Sequence, residues 1–232
     1  MIIVRKSEER GRTKTAWLDS RHSFSFGDYH DPAHVKFGAL RVLNEDVIVG
    51  GSGFPPHSHA DMEIVTCVLS GSLQHHDSLG TGSTIRPGEI QRMSAGTGIV
   101  HSEFNASQEQ PCRFLQIWIL PSRRDVPPSY EQRAIDPASI LNKLARIAAP
   151  EPRRNEICLL QDAQIWTAYF DREEEAIHVL DAGRRAWVQV TKGEVTVCGT
   201  HLKSGDGAAL TDVEQVRIRT LGPAEILLFD LA

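Results

Sequence analysis

The sequence of 232 residues lacks the features of a secreted, membrane-bound or disulfide-rich protein. No apolar run approaches the roughly 18–20 residues that span a bilayer. The N-terminus passes from a few apolar residues directly into a basic pair, which is not a signal-peptide pattern. The four cysteines are far apart and form no C-x-x-C pair, so we expect a cytoplasmic chain with reduced thiols and no membrane partner. These cysteines are Cys67, Cys112, Cys158 and Cys198.

Further absences exclude several classes of function. The net charge is −5, and no basic cluster has the size of a nucleic-acid surface, so we expect no direct binding to nucleic acid. The sequence has no G-x-S-x-G nucleophile motif, no phosphate-binding loop and no dinucleotide-binding fingerprint. What is present is an ordinary globular composition, 41% hydrophobic and 24% charged, in a chain long enough for one large β domain or two small ones.

Two pairs of candidate metal ligands lie near the ends of the segment 50–105. His57 and His59 are two residues apart, and so are His101 and Glu103. Alternate side chains of a β-strand point to the same face, so each pair projects its two side chains together. If the two strands are neighbours, three imidazoles and one carboxylate converge, which suits a divalent ion of Fe, Mn, Co, Ni, Cu or Zn. Such a ligand set leaves one or two coordination positions open, as in catalytic sites.

The sequence around these residues resembles the cupin superfamily. One cupin motif, G-x5-H-x-H-x3-E-x7-G, is matched over residues 51–71. A second, P-x-G-x-x-H-x3-N, is matched over residues 96–105 except that Gly96 stands in place of the proline. Within the cupins the chain resembles the pirin family, through strings such as WLDSRHSFSFGDYHDP (17–32), DMEIVTCVLSGSLQHHDSLG (61–80) and MSAGTGIVHSEFN (93–105). The resemblance covers the whole chain and implies an all-β bicupin, with two consecutive cupin-like barrels (double-stranded β-helix or jelly roll) and short helical turns.

An internal repeat supports two barrels in the chain. WVQVTKGEVTVCG (187–199) has the same strand, glycine turn and strand as IVTCVLSGSLQHH (64–76). We therefore expect residues 1–133 to form a barrel with the metal site and residues 134–232 to form a degenerate barrel without metal ligands. Because two barrels in one chain can cover each other, we expect a monomer. Aligning the glycine turns predicts the residues that replace the four ligands in the second barrel: Val179, Asp181, Ile218 and Thr220.

The resemblance also implies an activity. Pirin relatives are iron-binding and include quercetin 2,3-dioxygenases, in which the flavonol 3-hydroxyl binds near the metal and dioxygen cleaves ring C with release of carbon monoxide. It implies one divalent metal, expected to be Fe(II) with other first-row ions as alternatives, held by His57, His59, His101 and Glu103. The implied partners are a flavonol-like aromatic substrate and O2. Glu103 is the expected catalytic residue, because it is the ligand able to accept the 3-hydroxyl proton. The alternative is a regulatory binding module, of the transcriptional co-regulator type, whose metal or redox state tunes contact with a protein partner without turnover.

Other residues near the predicted site are candidates for supporting roles. Glu63 is either a further ligand or a hydrogen-bonding partner of the ligands. One of His75 and His76 faces the barrel interior if their strand is regular, and we expect it to have a structural or supporting role. A wall of the pocket is predicted from residues on one strand face and from nearby apolar side chains: Gln116, Trp118, Phe24, Phe26 and Met93.

Overall fold

The structure is a computed structural model that describes all 232 residues. It is built almost entirely of β-strands, which confirms the predicted all-β class. The strands in chain order are β1 (Ile2–Arg5), β2 (Gly11–Lys14), β3 (Leu18–His22), β4 (Leu40–Ile48), β5 (Gly53–His59), β6 (Glu63–Ser70), β7 (Leu73–Asp77), β8 (Gly82–Ile85), β9 (Glu89–Ser94), β10 (Ile99–Asn105), β11 (Cys112–Ile119), β12 (Ser129–Ala134), β13 (Ala145–Ala149), β14 (Ile157–Cys158), β15 (Ala163–Phe170), β16 (Glu175–Val179), β17 (Arg185–Lys192), β18 (Glu194–Val197), β19 (Thr200–Lys203), β20 (Gly207–Leu210), β21 (Gln215–Thr220) and β22 (Ala224–Leu231).

Helical structure is limited to a 3₁₀ turn, Ser7–Glu9, and one short α-helix, α1 (Pro137–Ile140). The Asp136 carboxylate accepts a hydrogen bond from the Ala138 amide at 3.0 Å, and Pro137 occupies the first turn, so both residues favour a helix start here. The helix ends after one turn, and Asn142 then adopts a left-handed φ of 55°. Neither helical segment has the length and apolar character that a membrane span requires.

The N-terminal barrel is the compact unit made of Gly11–Ala134 and Ile157–Gln161. Its larger antiparallel sheet has the order β12-β9-β6-β11-β4-β3-β2, and its smaller sheet has the order β5-β10-β7-β8. A core cluster takes buried residues from both sheets, including Ile48 and Phe114 from the larger sheet and Leu73 and Ile85 from the smaller. The core therefore lies between the two sheets, as in a jelly roll.

The C-terminal barrel is the compact unit made of Met1–Arg10, Ile135–Glu156 and Asp162–Ala232. Strands β1-β20-β17-β22-β15-β13 are hydrogen-bonded in this order in one sheet, and β16-β21-β18-β19 form the other. Its interior is filled by a single cluster of aliphatic residues and Phe170. Val216 and Ile218 belong to this cluster, and both are fully buried. The interior of this barrel is thus closed by apolar packing.

The two units divide the chain differently from the predicted boundary at residues 133 and 134. Strand β1 pairs with β20, so the first ten residues complete a sheet of the C-terminal barrel. The fully buried Asp206 carboxylate fixes this segment, because it accepts hydrogen bonds from the Lys6 ammonium at 3.1 Å and the Ser7 amide at 2.8 Å. Residues 157–161 belong to the N-terminal barrel instead. Such long-range pairing has no local sequence signal.

Candidate metal centre

The two strands that hold the predicted ligands are neighbours in the smaller sheet of the N-terminal barrel. His57 on β5 lies directly opposite His101 on β10, and His59 lies opposite Ile99. Burial alternates along β10, so His101 and Glu103 both face the interior and each is only 2% exposed. Strand β5 is the edge of its sheet, which tolerates the two prolines before His57 because an edge strand leaves backbone groups unpaired.

The turn that leads into β10 explains why this chain departs from the cupin motif. Gly96 has a φ of +47°, which proline cannot adopt because its ring fixes φ near −65°. A Cβ atom at Gly96 would also lie 2.0 Å from the carbonyl oxygen of Val126. Glycine is therefore required here by both the backbone conformation and the close approach of the neighbouring chain.

Three histidine rings meet at the mouth of this barrel. The ring centroid of His57 is 4.8 Å from that of His59 and 4.4 Å from that of His101, and those of His59 and His101 are 5.0 Å apart. One nitrogen from each ring lies within 4.8 Å of the others. Glu103 belongs to a second, overlapping group of the same tightness, formed with His101 and His75. His101 is thus shared by two groups of potential metal ligands.

Hydrogen bonding and burial prepare these rings to act as neutral ligands. The His57 Nδ1 atom is 2.8 Å from the carbonyl oxygen of Pro55, which accepts only, so Nδ1 carries the proton and Nε2 keeps its lone pair. Burial, together with the nearby His57 charge, lowers the pKa of His59 to about 4. Burial and then the charges of the other histidines lower the pKa of His101 to about 2. These two rings are therefore neutral at physiological pH.

His101 gives the clearest test of whether the site fits a metal ion. Both of its ring nitrogens are buried and neither has a hydrogen-bond partner in the protein. A buried polar atom without a partner costs free energy, and native structures contain few of them. A cation bound through the lone pair of one nitrogen would satisfy that atom. Together with the absence of any nearby thiolate among these groups, the donor set fits a divalent transition metal.

Glu103 is held in place by hydrogen bonds that run through Gln116 to Thr66. Its Oε2 atom accepts a hydrogen bond of 2.6 Å from Gln116 Nε2, and the Gln116 Oε1 atom accepts one of 3.0 Å from the Thr66 hydroxyl. Burial, reinforced by the negative charge of Asp46, raises the pKa of Glu103 to about 7. The carboxyl group therefore changes its protonation state close to neutral pH.

A cavity of about 420 Å³ opens above these residues. Predicted wall residues Phe26, Gln116 and Trp118 line it, together with His57, His59 and Glu103. Phe24 and Met93 do not line it, because both side chains are packed in the barrel and at most 2% exposed. The remaining lining residues were not predicted from sequence, and they come from β2, β3, β4 and the start of β5: Thr13, Leu18, Ser20, His22, Asn44, Asp46, Phe54 and Pro55.

The chain matches known proteins along its whole length. Residues 4–119 match the family model Pirin, and residues 146–231 match the Quercetinase C-terminal cupin domain. The chain is 43% identical over 231 residues to a quercetin 2,3-dioxygenase of Escherichia coli strain K12, covering 100% of this chain and 99% of that protein. The chain belongs to the pirin family.

Solved structures of a pirin agree with the fold of this chain. The crystal structure of YhhW from Escherichia coli superposes with a TM-score of 0.96 at 42% identity, covering 100% of this chain and 98% of that one. A structure of the bacterial pirin YhhW in complex with nickel(II), from the same organism, gives a TM-score of 0.95 at 42% identity, with 100% and 99% covered. The predicted bicupin fold is thereby confirmed.

Glu63 lies outside both ligand groups of this pirin. It is fully buried, and its Oε2 atom accepts a hydrogen bond of 3.2 Å from the Leu160 amide. The same oxygen lies 4.0 Å from Arg92. Glu63 thus fixes the segment 157–161 on the N-terminal barrel. Its expected inward orientation was wrong, because Thr66 faces the site and Glu63, three residues earlier in the regular strand β6, points to the opposite face.

The C-terminal barrel has different residues at the ligand positions from those predicted. When Gly193 is aligned with Gly71, the observed pairing of β21 with β18 and β16 places His178 opposite Val216, as His57 stands opposite His101. The four positions are then occupied by His178, Leu180, Val216 and Ile218. The predicted set, Val179, Asp181, Ile218 and Thr220, was wrong in register because the loops between the strands differ in length in the two barrels.

Proposed function

We propose that this pirin is a metal-dependent, ring-cleaving dioxygenase that acts on quercetin or a similar flavonol. The observation that carries the proposal is the meeting of three imidazoles, of which His101 also groups with the buried Glu103 carboxylate, beside a cavity lined by aromatic side chains. Two findings on relatives support it: similar proteins are named quercetin 2,3-dioxygenase, and one similar pirin forms a complex with nickel(II).

In this proposal His57, His59, His101 and Glu103 hold one divalent ion, and Fe(II) is our first choice. His57 offers Nε2, because its Nδ1 atom is engaged by Pro55. His101 and Glu103 come from the buried face of β10, and the half-buried His57 and His59 come from the edge strand nearer to solvent. The bound ion would supply positive charge that favours an ionised substrate hydroxyl and would bring the substrate and O2 together.

Glu103 acts as the base in this scheme. A flavonol that enters with its 3-hydroxyl towards the ligands presents that proton to the Glu103 carboxylate. Burial raises the pKa of Glu103 to about 7 in the metal-free chain, and a bound cation would lower it, so the carboxylate would be ionised and able to accept a proton near neutral pH. Gln116 keeps the carboxylate in place through its 2.6 Å hydrogen bond. One flavonol and one O2 would give the ring-opened product and carbon monoxide, so no external reductant is needed.

The cavity suits a flat aromatic ligand. Its volume of about 420 Å³ lies within the range of small-molecule sites, roughly 300–1,000 Å³. Trp118 packs edge-on to Phe26, with ring centroids 5.4 Å apart, and also contacts His59 at 4.9 Å. On the other side Phe54 lies 6.4 Å from His57. These rings can stack on a planar substrate and exclude water while the imidazoles face its polar edge.

The test is oxygen uptake with quercetin after anaerobic loading with Fe(II) or Ni(II). We expect uptake and carbon monoxide release by the wild type, and loss of both in His57→Ala. The matched control is His178→Ala, which removes the histidine at the same position of the C-terminal barrel and should leave turnover unchanged. Glu103→Gln should keep the cavity but lose most turnover. A metal-loaded wild type that consumes no O2 with any flavonol would refute the enzyme and favour the regulatory module.

A further inference from the structure

His75 and Asp77 form a buried pair beside the proposed ligands. The two residues lie on β7, where His75 stands opposite Glu103 and Asp77 stands opposite His101, so all four face the barrel interior. The His75 Nε2 atom is 2.8 Å from Asp77 Oδ2, and the two side chains are 1% and 0% exposed. The other carboxylate oxygen, Oδ1, accepts hydrogen bonds from the backbone amides of Leu79 at 2.9 Å and Thr81 at 3.1 Å.

The carboxylate sets the position of the proton on His75. Asp77 is fixed by two backbone donors on one oxygen and can only accept on the other, so the His75 Nε2 atom must carry the proton. The Nδ1 atom of the neutral ring then has a free lone pair. This nitrogen is buried and has no hydrogen-bond partner in the protein. A hydrogen-bond acceptor is therefore held ready inside the barrel.

His101 presents the matching donor. A neutral imidazole has one lone pair and one N–H group, and a histidine that binds a metal through the first almost always donates the second to a nearby acceptor. The His101 and His75 ring centroids are 5.3 Å apart. A hydrogen bond of about 2.9 Å between two imidazoles places their centroids about 5 Å apart, so the separation fits such a bond after a small ring rotation.

We infer that His75, oriented by Asp77, is the positioning residue that accepts the His101 N–H and so holds the His101 lone pair towards the metal. This inference rests on the proposed metal centre. It gives a partner to all three orphaned nitrogens of the two rings, because one nitrogen of His101 binds the ion and the other bonds to His75. His75 acts through His101 and does not itself bind the ion.

Asp77→Asn is the decisive variant, because it reverses the hydrogen bond without changing the size of the side chain. The asparagine oxygen can still accept from Leu79 and Thr81, which leaves its NH2 group facing His75. His75 Nε2 must then accept, and the ring proton moves to Nδ1. The N–H groups of His75 and His101 then face each other. His101 can avoid this repulsion only by turning its lone pair away from the metal. A residue that merely fills space would not respond to this change.

The measurement is the dissociation constant for Ni²⁺, by isothermal titration calorimetry, together with the nitrogen coordination number from nickel X-ray absorption. We expect Asp77→Asn and His75→Leu each to weaken binding by about 10–100-fold. His75→Asn places an amide oxygen near the Nδ1 position and should recover much of the affinity. His76→Leu is the matched control on the same strand and should bind like the wild type, since His76 is exposed. Circular dichroism checks that each variant is folded.

Other outcomes would overturn either the role of His75 or the proposed metal centre. Wild-type affinity in both Asp77→Asn and His75→Leu would overturn the role of His75 while leaving the metal centre intact. One nitrogen fewer around nickel in folded His75→Asn, in which the amide oxygen still orients His101, would overturn it as well, because His75 would then be a direct ligand. If the wild type fails to bind Ni²⁺ or Fe²⁺ at all, the proposed metal centre falls first, and this inference falls with it. Should His75→Leu not fold, Asp77→Asn and His75→Asn decide the question.

Discussion

Replacing Glu103 by glutamine should stabilise the metal-free protein, and more so at higher pH. The ordinary carboxyl pKa of 4.5 rises to about 7 in the folded chain, chiefly because the group is buried. Between these two values the folded state holds a proton that the unfolded state has released. Stability is therefore fully present below about pH 4.5 and is lost as the pH rises through 7, because the buried carboxyl group must ionise.

The free energy involved follows from the difference between the folded and unfolded pKa values of Glu103. Each pH unit between the two pKa values corresponds to about 1.4 kcal/mol, so ionised Glu103 costs the metal-free fold about 3 kcal/mol above pH 7. Glutamine carries no charge and can still accept the hydrogen bond from Gln116. The free energy of unfolding of Glu103→Gln, relative to the wild type, should therefore increase by about 2–3 kcal/mol between pH 5 and pH 8.

The assay is urea denaturation of chelator-treated protein at both pH values, followed by tryptophan fluorescence. Comparing the two proteins at two pH values cancels changes in packing that do not depend on pH. The exposed Glu109→Gln on the β10–β11 loop is the control, since its side chain lies in water before and after unfolding. An advantage of Glu103→Gln that is equal at pH 5 and pH 8 would refute the reasoning, because Glu103 would then not be a buried group that ionises near neutral pH.

Three further predictions concern metal removal, packing of the N-terminal core and reactivity of the cysteines. Removing metal with a chelator should lower the melting temperature of the wild type and of His178→Ala but leave His57→Ala unchanged, measured by calorimetry. Phe114→Ala should destabilise the N-terminal barrel by about 3–5 kcal/mol in urea, since this side chain is fully buried in its core. A thiol reagent should label Cys198 at once, and Cys198→Ser should abolish that reaction. The buried Cys67 should stay unlabelled by mass spectrometry until the chain unfolds, because burial raises the pKa of its thiol to about 12.

The positions of the candidate ligands could be predicted from sequence because they depend on a local rule. Two residues spaced i, i+2 in a strand share a face, and the alternating burial of β10 obeys that rule. Gln116 and Trp118 were predicted for the same reason, since both lie on one strand that crosses the barrel.

Other parts of the fold could not be predicted, because they depend on pairing between distant segments. Strand β1 pairs with β20, which lies about two hundred residues later in the chain. The equivalent positions were missed by one residue on β16 and by two on β21, since they depend on loop lengths rather than on a repeated motif. The role of Asp77 was also missed. Here a signal was present, because His75 and Asp77 are two residues apart on β7 and share a strand face by the same rule as the candidate ligands.

The candidate ligands of the N-terminal barrel have supporting polar residues that the C-terminal barrel lacks. In the C-terminal barrel the positions of His101 and Glu103 are taken by Val216 and Ile218, which pack into a continuous apolar core. In the N-terminal barrel two buried polar groups near the candidate ligands have partners of their own, since Glu103 has Gln116 and His75 has Asp77. A buried polar network is stable only when its members satisfy one another. Placing histidine and glutamate at positions 216 and 218 would therefore create unpaired buried groups, and not a second metal centre, unless the supporting residues were introduced with them.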